Sequence, residues 1–96
     1  MYALTSLKVV KRDIKKLDRK LQEIIKNEHF PKIKKNPYTG DPLFYEFKGL
    51  RSYHFSYQGT EYRIVYEIYQ ANNTILVIMI GKREKFYETL KRRISG

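Results

Sequence analysis

Six consecutive apolar residues, Ile75-Leu76-Val77-Ile78-Met79-Ile80, place the strongest constraint on what this chain can fold into. A run of this length is too short for a buried helix and far too short to span a bilayer. Without polar alternation it reads as a strand, residues 74–80, covered on both faces and therefore internal to a sheet. Two half-buried strands precede it. Tyr62, Ile64, Tyr66 and Ile68 alternate with Glu61, Arg63, Val65 and Glu67 over residues 61–69. Tyr53 and Phe55 alternate with Ser52, His54 and Ser56 over residues 51–57. Period-two alternation puts the aromatic and aliphatic set on the core side of each strand. Gln58-Gly59-Thr60 and Ala71-Asn72-Asn73 supply the intervening turns.

The amino-terminal third has a different period. Leu7, Val10, Ile14, Leu17, Leu21 and Ile24 recur every three or four residues, the apolar stripe of an amphipathic helix. Lys8, Lys11, Arg12, Lys15, Lys16, Arg19 and Lys20 fill the opposite face, and Thr5 or Ser6 is placed to cap its start. No Gly or Pro interrupts residues 5–28, which therefore read as one helix; if there are two, Asp18 is the break. Residues 1–4 form a short first strand. Pro31, Pro37, Gly40 and Pro42 mark residues 30–42 as loop and turns, and Leu43–Phe47 is a short strand. Phe86, Leu90 and Ile94 give a last helix over residues 82–94. The expected architecture is a single α+β domain over residues 1–96. An N-terminal helix or helix pair packs on a small, mainly antiparallel twisted sheet, followed by a basic C-terminal helix.

Composition removes several function classes. The chain contains no cysteine, which excludes disulfides and thiolate metal sites and points to a reducing, cytoplasmic setting. No His, Asp or Glu cluster has metal-ligand spacing, and no Gly-rich phosphate loop or nucleophile elbow is present. No signal peptide is apparent. Twenty Lys and Arg against ten Asp and Glu give a formal net charge of +10. On a domain of this size that field attracts polyanions, either nucleic acid or an acidic protein. The basic residues are not confined to one polar face opposite a bulky apolar one, which disfavours a membrane surface.

Strand parity then gathers a candidate site. His54 and Arg63 fall on the non-core faces of adjacent strands and project from one surface of a hairpin. Arg83 follows the apolar strand by three residues and reaches the same surface, and Tyr87 lies one helical turn beyond it. These side chains suit metal-free RNA cleavage with no cofactor. A ribose 2′-hydroxyl must lose a proton, for which His54 is the candidate base. The phosphate must be held as its charge grows, a task for the two-pronged guanidinia of Arg63 and Arg83. Tyr87 can stack on a base. Lys48, Arg51, Lys82, Lys11, Lys15, Lys34 and Lys35 are candidate RNA-backbone contacts. Each residue also has an ordinary reading. Arg63 can pair with Glu61 or Glu67, Arg83 with Glu84 or Glu67, and Tyr87 is one of nine tyrosines.

The order of these pieces resembles the RelE/ParE toxin superfamily. The resemblance covers most of the chain: the first strand, the helical region, Asn36-Pro37-Tyr38 with Pro42-Leu43, Gly49-Leu50-Arg51, Tyr62-Arg63-Ile64-Val65-Tyr66, and Gly81-Lys82-Arg83 with Tyr87. It implies the toxin of a type II toxin–antitoxin pair, held by a cognate RelB-like antitoxin and cleaving mRNA on the ribosome. It also implies phosphate binding by Arg63 and Arg83 and a nucleotide contact by Tyr87. His54 and Ser56 stand where the best-studied enzymes of the superfamily carry two lysines. His54 can replace one as a base; Ser56 cannot replace the other. Two alternatives stay open: a ParE-like toxin directed at DNA gyrase without nuclease activity, and a non-catalytic RNA- or antitoxin-binding module.

Overall fold

A computed structural model describes residues 1–95. Strands β1 (Ala3–Ser6), β2 (Asp41–Pro42), β3 (Leu50–Tyr57), β4 (Thr60–Tyr69) and β5 (Thr74–Lys82) form one sheet in the order β1-β5-β4-β3-β2. β1 runs parallel to β5, and the other neighbours are antiparallel. The apolar strand is internal, as its lack of alternation requires. The β3–β4 hairpin closes through Gln58 and Gly59, with φ of 49° and 78°. Two successive left-handed residues are the geometry of a two-residue turn whose twist matches the strands.

The helical layer divides as Asp18 allowed. Helix α1 is Val10–Lys15 and α2 is Arg19–Ile24. Asp18, extended at φ −53° and ψ 139°, caps α2 by accepting from the Lys20 amide. Thr5 and Ser6 cap nothing; they belong to β1, and Val9 precedes α1 without a side-chain cap. The chain then departs from the expected loop. From α2 it continues through a π turn, Ile25–His29, into a third helix, α3 (Phe30–Lys35). The Phe30 amide reaches back to the Ile25 carbonyl, and Pro31 follows inside the first turn of α3, where a missing amide hydrogen is tolerated. The wider turn also rotates the apolar stripe, so that Ile25 and Ile33 are buried.

The helices cover one face of the sheet, packing Val10, Leu21, Ile25 and Ile33 against Tyr53, Phe55, Tyr62, Ile64, Tyr66, Ile75, Val77 and Ile80. The last helix, α4 (Phe86–Ser95), covers part of the other face, with Phe86 and Leu90 against Leu50, Val65, Ile78 and Met79. A bulge serves this second layer: Val65 pairs with Met79 and Tyr66 with Val77, leaving Ile78 unopposed. Beyond Ser6 the β1 side of β5 has no strand partner. There the Ile80 amide donates to Asp13 Oδ2 at 3.0 Å, and Arg93 Nη1 donates to the Ile78 carbonyl at 2.9 Å. Arg93 also forks onto Asp13 at 2.6 and 2.9 Å, joining α1, β5 and α4.

Pro37–Thr39 form a 3-10 turn ahead of β2, and Leu43–Phe47 is not a strand: Tyr45–Phe47 make another 3-10 turn. Buried Tyr66 donates to the Pro37 carbonyl at 2.6 Å and accepts from the Gly40 amide at 3.1 Å. A Cβ at Gly40 would lie 2.4 Å from the Tyr66 hydroxyl oxygen. On the helix side, His29 Nδ1 and the Tyr53 hydroxyl lie 2.8 Å apart, and the imidazole stacks on Phe55 with centroids 4.1 Å apart. Burial lowers the His29 pKa, nearby Lys32 lowers it further, and Glu28 opposes both.

Candidate functional site on the α4 face of the hairpin

The cross-strand register aligns His54 with Arg63 and Arg63 with Gly81. All three positions face the α4 side. At this end of the sheet the helix stops short, leaving His54, Ser56 and Glu61 exposed. Gly81 carries no side chain, and the neighbour of Arg63 becomes Tyr87 from the first turn of α4. The guanidinium carbon stands 4.9 Å from the tyrosine ring centroid. Tyr87 is itself wedged between Phe47 and Phe86, with centroids 5.6 and 5.7 Å away.

Arg63 is half-buried and forms no ion pair among the described residues. Its Nε is buried without a hydrogen-bond partner. Neither ordinary surface pairing forms: Glu61 accepts from the Ser56 hydroxyl at 2.5 Å, and Glu67 from the Tyr69 hydroxyl at 2.8 Å. Ser56 thereby places a carboxylate where the superfamily resemblance led one to look for a cation. His54 Nε2 lies 3.9 Å from Asp41 Oδ2 on β2, both side chains being exposed. Asp41 was not singled out by the sequence. Its place between Gly40 and Pro42 reads as turn chemistry, and only the β2–β3 pairing brings it beside the imidazole.

Arg83 lies outside α4, in the bend after β5. Its amide donates to the Glu61 carbonyl at 3.0 Å, which holds the bend against the hairpin, and its exposed side chain has no ion pair among the described residues. Lys82 and Arg83 line a shallow concavity with Gly59, Thr60, Glu61 and Glu84. Lys48 is exposed just before β3, on the side of the Phe47 turn. Arg51 does not join this group. It belongs to the opposite face with Tyr53 and Phe55, donates to the Gly40 carbonyl at 2.5 Å, and sits 4.9 Å from the Tyr38 ring centroid. Its role is to hold the Pro37–Pro42 segment. Lys11 and Lys15 lie on α1, and Lys34 and Lys35 end α3, all in the helical layer away from the Arg63 face. No group of three or more His, Asp or Glu side chains among the described residues is placed to hold a metal ion. No helix among them is long and apolar enough to cross a membrane.

The site thus offers a half-buried guanidinium held over an aromatic ring, an imidazole beside a carboxylate, and a second arginine on a backbone-anchored bend. Such a set can bind a phosphodiester and move a proton. Comparison with known proteins agrees with the fold. A family model for the ParE-like toxin of type II bacterial toxin–antitoxin systems matches residues 4–91. No match was found among curated protein sequences. Among solved structures, the chain is similar to the toxin–antitoxin complex RelBE2 from Mycobacterium tuberculosis. Identity there is 25% and the TM-score 0.72, over 85% of this chain and 91% of that one. A doubly arginine-substituted RelE toxin from Escherichia coli in the free state gives a TM-score of 0.74 at 20% identity, over 97% of both chains. The intact E. coli RelBE complex gives 0.70 at 20% identity, over 88% of this chain and 99% of that one. With the strand order, the helical layer and the profile match in agreement, this chain belongs to the ParE-like toxin family of type II bacterial toxin–antitoxin systems, within the RelE/ParE superfamily.

Proposed function

We propose that the protein is a ribosome-dependent mRNA endoribonuclease of the cytoplasm, neutralised by a RelB-like antitoxin. The observation that carries the nuclease reading is Arg63: a half-buried cation, packed on Tyr87, with no anionic partner among the described residues and an imidazole across the strand. Removing water and competing anions from a guanidinium strengthens its attraction for phosphate. Cross-strand neighbours lie roughly 5 Å apart at Cβ, so one nucleotide spans His54 and Arg63.

In the proposed reaction His54 accepts the 2′-hydroxyl proton, and Asp41 steadies the imidazolium that forms. The 2′-oxygen attacks the adjacent phosphorus while Arg63 and Arg83 stabilise the developing charge. The bond to the 5′-oxygen breaks, that oxygen takes a proton from water, and a 2′,3′-cyclic phosphate or its hydrolysis product remains. Tyr87 holds the nucleotide and keeps the Arg63 fork in place. No metal or cofactor is needed for these steps. Lys48 and Lys82 flank the site and would contact the neighbouring backbone. Lys11, Lys15, Lys34 and Lys35 would act at longer range, through the ribosome.

The complexes of related toxins with RelB-type antitoxins support an antitoxin partner here. A net charge of +10 favours an acidic one. The test is to add the purified protein to translating ribosomes and map new mRNA ends. Cleavage within the ribosome-bound stretch supports the nuclease reading; intact mRNA refutes it. One observation favours a second reading, a ParE-like gyrase-directed toxin: Glu61, fixed by Ser56, sits on the proposed substrate face and would repel a phosphate. Intact mRNA together with gyrase inhibition would establish that reading instead.

A further inference from the structure

The turn between β2 and β3 exposes aromatic side chains that folding does not use. Phe44 is 68% exposed and Tyr45 92% exposed, although the second hydrophobic core lies alongside and takes in Leu43 and Phe47 from the same turn. Tyr45 also has φ of 57°, a left-handed conformation that a bulky residue adopts at a cost. Phe44 is extended at φ −125° and ψ 174°. The segment is fixed at both ends: the Leu43 amide donates to the Leu50 carbonyl, and the Lys48 amide to the Tyr45 carbonyl. It is also tied to α4, through Phe47 against Tyr87 and through Glu46, 3.6 Å from Lys91. Packed side chains therefore lead from Arg63 through Tyr87 to Phe47, and the exposed pair belongs to the same turn as Phe47, with Lys48 next in the chain and Lys91 beside Glu46.

We propose that Phe44 and Tyr45 form a stacking subsite for unpaired bases of single-stranded RNA next to the phosphate held at Arg63. This rests on the nuclease reading above. Aromatic rings presented to solvent on an anchored turn, beside cations and tied through Phe47 and Tyr87 to the arginine proposed to bind phosphate, match how proteins hold single strands. Stacking asks for exposed ring faces, which a core residue does not have. It needs no base-specific hydrogen bonds, so the subsite would add affinity and positioning with little sequence preference.

The experiment uses the full chain and a fluorescent, cleavage-resistant 2′-O-methyl dodecamer, followed by anisotropy across a salt series. The Phe44→Ala/Tyr45→Ala double variant should bind at least about ten-fold more weakly, from about 1–3 kcal/mol per stacked base. Its log–log salt slope should match the wild type, because stacking releases no counterions, whereas Lys48→Ala should flatten the slope. Tyr45→Phe should bind as wild type. Tyr45→Gly, which relieves the left-handed backbone and removes the ring, should bind weakly despite a gain in stability. Wild-type affinity in the double variant would overturn the subsite while leaving the nuclease reading intact. So would a double variant that keeps RNA binding and loses antitoxin binding, since the turn would then be an antitoxin surface. A wild type that binds no single-stranded RNA at low salt would likewise overturn the subsite, whereas only intact mRNA on translating ribosomes overturns the nuclease reading.

Discussion

Arg93→Met is the sharpest test of how the two layers are joined. It removes the fork onto Asp13 and the contact with the Ile78 carbonyl, leaving Asp13 with the Ile80 amide alone. The Asp13 side chain is 8% exposed and that of Arg93 16%. Orphaning one member of a buried pair costs about 3–5 kcal/mol. Arg93 keeps a path to water, which places the expected loss near the lower end, about 3 kcal/mol. For a domain of this size that corresponds to a fall in Tm of roughly 12–24 °C. Urea titration would give the same loss as a lower midpoint at unchanged m-value. Adding Asp13→Leu should recover part of the loss, because the buried charge is gone. Recovery stays incomplete because the Ile80 amide and Ile78 carbonyl lose their partners. A single-variant loss below about 1 kcal/mol, the range of exposed ion pairs, would refute the claim that this contact closes the free side of β5.

Arg63→Ala and Arg83→Ala should each slow single-turnover cleavage of ribosome-bound mRNA by about 100-fold with melting curves unchanged, and Arg63→Lys should not restore the rate. Wild-type rates in both alanine variants would sink the site assignment. His29 has a pKa below the ordinary histidine value of 6.5, so the unfolded chain binds its proton first as pH falls. Its contribution to stability is therefore intact above pH 6.5 and is lost as pH drops from there toward the folded value. Thermal melts at pH 7.5 and pH 5 should show that His29→Gln has a shallower decline than the wild type, and equal slopes would contradict this. Gly40→Ala drives a methyl group into the Tyr66 hydroxyl and should destabilise by about 1–3 kcal/mol in chemical denaturation.

The α+β architecture, the three long strands and the hairpin were legible because period-two patterning, an apolar run and Gly59 leave few alternatives. The third helix was not. Pro31 argues for a loop unless a π turn precedes it, and no local pattern announces that turn. The strand expected at Leu43–Phe47 failed because its alternation serves a 3-10 turn that buries Leu43 and Phe47 and exposes Phe44 and Tyr45. At the site, strand parity placed His54 and Arg63 on one face correctly, since parity depends only on neighbours in sequence. The same parity pairs Arg51 with Tyr53, on the other face, which is where the structure places it. Asp41 and the Ser56–Glu61 contact depend on pairings between distant segments, which one sequence does not display. Asn36-Pro37-Tyr38 and Gly49-Leu50-Arg51, which carry part of the family resemblance, meet in space, where Arg51 packs on Tyr38 and donates to the Gly40 carbonyl just before β2.

The joining of β1 to β5 bears on when the Arg63 face is completed. Residues 3–6 find their strand partners only at residues 74–77, and Asp13 finds Arg93. These are contacts of high sequence separation, slow to form and absent from any partial chain. While the protein is being synthesised, α4 is the last of these elements to emerge, and until it docks on the sheet Tyr87 has no fixed position beneath Arg63. The Arg63–Tyr87 pair therefore cannot form until α4 has left the ribosome that made it. A cell that must sequester such a protein gains that interval for an antitoxin to meet the chain before it is finished.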